Sequence, residues 1–181
     1  FPNGVPNSMT RTTLTMRLYI STRDAAASGD RAVDECDDLG GLIASICDHL
    51  ERFECAKFTV SGFGDPKWPV TVSTDLAVIL EQLPGVSRAL NERHEEFQLE
   101  FFEQGVERLL EFNRHGEDLD VTCSSQTGWI PSPQTMRMPA AEMAAQVKEL
   151  RATFLRVVDW CLPEVRRHPW LECWAHETKL R

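Results

Sequence analysis

The sequence predicts an α+β fold: an antiparallel sheet of about five to six strands, with a meander in the second half of the chain and three to four helices packed on it. Three patterns carry that expectation. Thr13–Ile20 alternates apolar and polar residues with a period of two. Met143, Val147, Leu150, Phe154, Val157 and Cys161 recur at steps of four and three, as one face of a helix does. Phe97–Glu103 and Val106–Phe112 both alternate, on either side of Gln104-Gly105, which is a hairpin signal.

Taken in order, Leu14, Met16, Leu18 and Ile20 share one face of the first strand, with Thr15, Arg17 and Tyr19 opposite. Ser21–Asp30, an Ala run ending near Gly29, reads as a loop. Leu39, Leu42, Ile43, Ile46, Cys47 and Leu50 then fall at helical spacing behind Asp34, Glu35, Asp37 and Asp38. Carboxylates are favoured at the positive end of a helix dipole, so a helix is expected from about Asp34 to Arg52. Ala56–Gly62 is a second strand with Phe58 and Val60 inward. After the turn signals Asp65-Pro66 and Trp68-Pro69, Val70 and Val72 suggest a short strand. Ser73, Thr74 and Asp75 supply caps for a helix through Leu76, Ile79, Leu80 and Leu83. Pro84-Gly85 is expected to stop it, leaving Val86–Glu92 as a short helical piece.

In the meander, pairing Glu103 with Val106 fixes the register of the whole hairpin. One face then carries Phe97/Phe112, Leu99/Leu110 and Phe101/Arg108, and the other carries Gln98/Glu111, Glu100/Leu109 and Phe102/Glu107. Asn113–Glu117 turns into a third strand, Asp118–Cys123. Ser124–Pro139 reads as a Ser/Thr/Gln/Pro loop, and Pro139 suits the first turn of the long helix that Pro163 ends. A last short helix holds Trp170, Leu171 and Trp174. Residues 1–12 look like a loose arm, and residues 13–177 a single α+β domain.

The 181 residues and 42% apolar content suit one globular domain. With 28 acidic against 19 basic side chains the net charge is −9, which argues against nucleic acid as a partner, since phosphates require clustered Lys and Arg. An acidic surface instead attracts a cationic partner. Cys36, Cys47, Cys55, Cys123, Cys161 and Cys173 form no C-x-x-C pair. Without an export signal or an apolar run long enough for a membrane, they read as reduced thiols of a cytoplasmic protein.

Three constellations are candidates for function. Cys161, His168, Cys173 and His176 fall close together, but their spacing matches no usual zinc knuckle, and neither metal nor cofactor is expected. His94-Glu95-Glu96 lacks the second histidine of a metalloprotease helix. A small enzyme or small-molecule site between sheet and helices is the alternative function, using His115, Glu103 or Arg108. The strongest candidate is the outer meander face. Glu100, Glu107, Glu111, Asp118 and Asp120 gather there with hardly a basic residue among them, around Phe102 and Leu109. Like charges on neighbouring strands cost stability, and an apolar patch with a charged rim suits a protein interface.

Three stretches, WPVTVSTDLAVILEQLP (Trp68–Pro84), EFFEQGVERLLEF (Glu100–Phe112) and SSQTGWIPSP (Ser124–Pro133), together resemble small bacterial immunity-type proteins of polymorphic or contact-dependent toxin systems. The resemblance covers Phe58 to Trp174 and carries no chemical motif, so no functional residue transfers with it. It implies a cytosolic, non-enzymatic protein that binds and blocks one cognate toxin. The expected partner is thus a basic protein, not nucleic acid or a membrane, met by Glu100, Phe102, Glu107, Leu109, Glu111 and Asp120.

Overall fold

The structure, a computed structural model, describes residues 13–21 and 36–181. Within them the fold is α+β, in two antiparallel sheets rather than one. Strands β1 (Thr15–Ile20) and β2 (Ala56–Ser61) pair with Thr15 opposite Ser61 and Leu18 opposite Phe58. Strands β3 (Glu96–Phe101), β4 (Arg108–His115), β5 (Asp118–Ser125) and β6 (Thr135–Pro139) form a meander in that order. Four helices complete it: α1 (Leu39–Arg52), α2 (Ala77–Asn91), α3 (Ala140–Cys161) and α4 (Pro169–Glu177). No helix among the described residues is long and apolar enough to cross a membrane.

One continuous apolar core joins both sheets to the helices. The meander contributes Leu99, Phe101, Leu110, Phe112, Leu119, Val121, Cys123 and Met138, all fully buried. Facing them, α3 buries Met143, Val147, Leu150, Phe154 and Val157, the seam its spacing anticipates. Each such side chain contributes about 1.5–3 kcal/mol on leaving water, and packing rather than helical propensity holds the element in place. Phe97 stacks on Phe112 with ring centroids 4.5 Å apart. Packing continues past residue 177, where Thr178 and Leu180 are buried.

Several boundaries differ from the sequence expectation, each for a physical reason. Helix α1 starts at Leu39 because the Asp38 carboxylate accepts from the Gly41 amide and caps it there; the Asp34 and Glu35 portion lies outside the described residues. Val70 and Val72 form no strand. Pro69 removes a ladder donor, and Thr71 caps a π-helical turn, Val72–Leu76, that leads directly into α2. Pro84 does not stop α2, which runs on to Asn91. The Leu80 carbonyl, which the missing amide of Pro84 leaves without a helical donor, accepts from Trp174 Nε1 at 2.8 Å.

The meander register is as expected from Phe97↔Phe112 to Phe101↔Arg108, but the hairpin has no two-residue turn. Val106 is only 1% exposed and draws the chain into the core, so residues 102–107 form a wider connection. Gly105 and Glu107 take positive φ values of 92° and 42°, and the Phe102/Glu107 pair does not form. The segment read as one long loop begins with the last residues of β5 and ends with the strand β6. Strand β4 likewise runs to His115, leaving Gly116-Glu117 as the turn.

Two strand edges are closed by glutamine side chains. Gln82 on α2 accepts from the Glu100 amide and donates to the Glu100 carbonyl, both at 2.8 Å. Gln146 on α3 accepts from the Met16 amide and donates to the Leu14 carbonyl, again at 2.8 Å each. A primary amide presents donor and acceptor as a neighbouring strand does, so each caps one backbone step of its strand's edge.

Candidate functional site

Alternation divides the meander strictly. Glu96, Gln98 and Glu100 of β3, Leu109, Glu111 and Asn113 of β4, Asp118, Asp120 and Thr122 of β5, and Thr135 and Arg137 of β6 share the face away from the helices. None of these residues is buried. The candidate residues Glu100, Leu109, Glu111 and Asp120 therefore lie on one solvent-facing surface. Phe102, at the end of β3, is 55% exposed, and Glu107 belongs to the adjoining connection.

The charge on this surface is uneven. Asp120 takes a bidentate contact from Arg137, with Nε at 2.6 Å and Nη2 at 2.9 Å, and His115 Nε2 lies 3.3 Å away. The Arg137 guanidinium beside Asp120 holds that carboxyl below its ordinary range. The expectation of a face with hardly a basic residue is thus corrected on the β5–β6 half, because Arg137 lies on β6, a strand that its Ser, Gln and Pro surroundings do not mark in the sequence. On the β3–β4 half Glu96, Glu100 and Glu111 have no cationic partner among the described residues. That half, bordered by Phe102, Glu103 and Glu107, is the concentrated negative patch.

The trio His115, Glu103 and Arg108 is not brought together. Arg108 and His115 stand at opposite ends of β4, about 24 Å apart at ~3.4 Å per residue. His115 is an exposed partner of Asp120, while Arg108 points into the core. The Cys/His set does not converge either. Cys161 is buried in α3, His168 Nδ1 accepts from the Trp170 amide to cap α4, and Cys173 Sγ lies near Glu177. Among the described residues no three His, Cys, Asp or Glu groups are placed to share a metal ion.

What sequence reasoning missed is a buried arginine between two tryptophans. The Arg108 guanidinium lies 4.2 Å from the Trp68 ring centroid and 3.6 Å from that of Trp129, and its Nη2 donates to Asp65 Oδ2 at 2.9 Å. Its side chain is 3% exposed. Nε and Nη1 have no acceptor among the described residues. Desolvated cation–π contacts contribute about 2 kcal/mol or more each, and a buried donor without an acceptor costs about 1–3 kcal/mol. The two effects are of similar size, so the carboxylate of Asp65 decides the balance. Asp65 is set by a tight turn in which the Gly62 and Asp65 backbones exchange hydrogen bonds at 2.9 and 3.0 Å. Gly64 in that turn sits at φ 84° directly against the Ser132 carbonyl, where a Cβ would collide with it. Trp68, Arg108 and Trp129 come from three separate stretches, the turn before α2, the start of β4 and the loop after β5, which meet at this end of the meander. The only sequence signal was Arg108 at an inward position of an otherwise apolar face.

No protein-family model, curated protein or solved structure matches the chain.

Proposed function

We propose that the chain is a non-catalytic binding protein of the immunity or antitoxin type, which occludes a basic partner protein with the outer face of its meander. The observation that carries the reading is the β3–β4 surface, where Glu96, Glu100 and Glu111 lie on the outer face without cationic partners among the described residues and border the exposed Phe102. Carboxylates held close on a rigid sheet repel one another, and a cationic partner relieves that repulsion on docking. Phe102 and the half-buried Leu109 supply apolar contact inside a charged rim, the usual anatomy of an interface.

The test is affinity capture from the native lysate at low and high salt, read by mass spectrometry, with Glu100→Lys and Phe102→Ala beside the parent chain. The reading expects one stoichiometric basic protein, lost at high salt and with Glu100→Lys. Capture that is indifferent to both, or no capture in either salt, overturns it.

A further inference from the structure

We infer that Ile130 is the apolar anchor of the partner site, entering a recess on the basic protein whose cationic rim meets Glu103 and Glu107. The inference rests on the reading above and extends its surface to the loop after β5. Ile130 is 81% exposed, the most of any large apolar side chain among the described residues. Its loop adjoins the acidic patch. The Gln126 amide donates to the Glu107 carbonyl at 2.9 Å, and Trp129 covers the guanidinium of Arg108, the residue between Glu107 and Leu109.

The chain is fixed on both sides of Ile130. Before it, the Trp129 amide donates to Thr127 Oγ1 at 3.2 Å, and the Trp129 ring packs on Arg108 and, at 6.2 Å between centroids, on Trp68. After it, the Ser132 amide donates to the Phe63 carbonyl at 2.8 Å. A side chain held in place before docking loses little conformational entropy in the complex, as an anchor requires. The core gains little from Ile130 itself, most of which stays in water.

Composition selects the occupant. Residues 124–134 include no charged side chain. Beside them Glu100, Glu103, Glu107 and Glu111 have no cationic partner among the described residues. An uncharged projection with an aliphatic tip, next to a row of carboxylates, matches a recess lined by apolar side chains and rimmed by Lys or Arg. A polyanion such as nucleic acid would meet those carboxylates unfavourably. Because the β-branched side chain has few rotamers, a shaped recess tells it from one a methylene shorter by about tenfold or more.

The probe is the fraction of native lysate that a cation exchanger retains, passed over the immobilised whole chain and read by mass spectrometry. The parent is compared with Ile130→Val, Ile130→Asp and Glu100→Lys, and with Trp160→Ala at an exposed apolar position on α3. A photoreactive benzoylphenylalanine at position 130 or 160 reports direct contact. One basic protein should be retained stoichiometrically, about tenfold less by Ile130→Val and about a hundredfold less by Ile130→Asp. Trp160→Ala should retain it fully, and it should cross-link from position 130 but not from 160. Circular dichroism and the thermal midpoint of the Ile130 variants should match the parent, as suits an exposed position. If Glu100→Lys abolishes retention but Ile130→Asp does not, or position 130 gives no cross-link, the inference is overturned and the acidic-face reading stands. Retention that Ile130→Asp abolishes while Glu100→Lys and high salt leave it intact overturns that reading, and the inference loses its charged rim with it. No retained protein overturns both.

Discussion

Trp174 donates its indole N–H to the Leu80 carbonyl, the acceptor that Pro84 leaves empty one turn further along α2. The contact spans 94 positions in the chain and lets a proline sit inside a buried helix without an unsatisfied carbonyl. It also ties α4 to α2, with Trp174 edge-on to Phe154 at 5.3 Å.

Trp174→Phe keeps most of the apolar bulk but orphans the Leu80 carbonyl, so chemical denaturation should show a loss of about 1–3 kcal/mol. In a Pro84→Ala background the restored amide takes that carbonyl, and the same substitution should cost clearly less. A double-mutant cycle reads the difference directly; equal costs in both backgrounds would show that the indole contact carries no weight.

The Arg108–Asp65 pair gives an opposite ordering of severity. Asp65→Asn removes the one carboxylate paired, among the described residues, with a guanidinium that is 3% exposed, and about 3–5 kcal/mol of stability should go with it. Arg108→Lys should not rescue, because an ammonium cannot lie flat between the Trp68 and Trp129 rings. Arg108→Met combined with Asp65→Asn should recover much of the loss. Urea midpoints followed by tryptophan fluorescence would show all three.

Asp75 should make stability depend on pH. Its side chain is buried in the π-helical turn that leads into α2, with Oδ2 accepting from the Thr71 amide at 2.8 Å and Oδ1 without a partner among the described residues. Burial, the largest influence, raises its carboxyl above the ordinary value against the hydrogen bonds from Thr71 and Thr74, which lower it. A folded-state value above the unfolded one means a stabilising contribution that is present in acid and is lost as pH rises through the folded value. Relative to Asp75→Asn, the parent chain should therefore lose stability as pH climbs out of the ordinary carboxylate range toward neutrality. Parallel stability curves for the two proteins would contradict this.

On the meander surface two substitutions should act in opposite directions. Phe102→Ala, at an exposed position, should change stability by no more than about 0.5 kcal/mol while weakening partner binding. Arg137→Ala frees the Asp120 carboxylate, extends the negative patch across β5, and should tighten binding of a basic partner at low salt. A weaker complex after Arg137→Ala would place the contact elsewhere.

The strands and helices that are long and strictly periodic were legible in the sequence, including the pairing of Phe97 with Phe112 and the full buried seam of α3. The failures cluster where a distant group changes a local rule. Nothing near Pro84 announces that Trp174 will satisfy Leu80, and β6 was hidden among Ser, Gln and Pro residues whose partner is β5. Missing β6 also hid Arg137, so the candidate face looked more uniformly acidic than it is. The outward set Glu100, Leu109 and Glu111 followed from alternation alone. Arg108 could be placed inward by the same rule, but its two tryptophans arrive from loops whose course no periodicity encodes.

The contact of Gly64 with the Ser132 carbonyl bears on how tolerance to substitution should be interpreted here. Position 64 is exposed on a surface turn, yet every side chain other than hydrogen meets both an unfavourable φ and an oxygen atom that cannot retreat. In a saturation screen for partner binding it would stand out as an intolerant surface residue, the signature ordinarily assigned to direct contact. Its effect would reach the partner only through the seating of Asp65, so scoring folded abundance alongside binding would sort scaffold from interface at this end of the molecule.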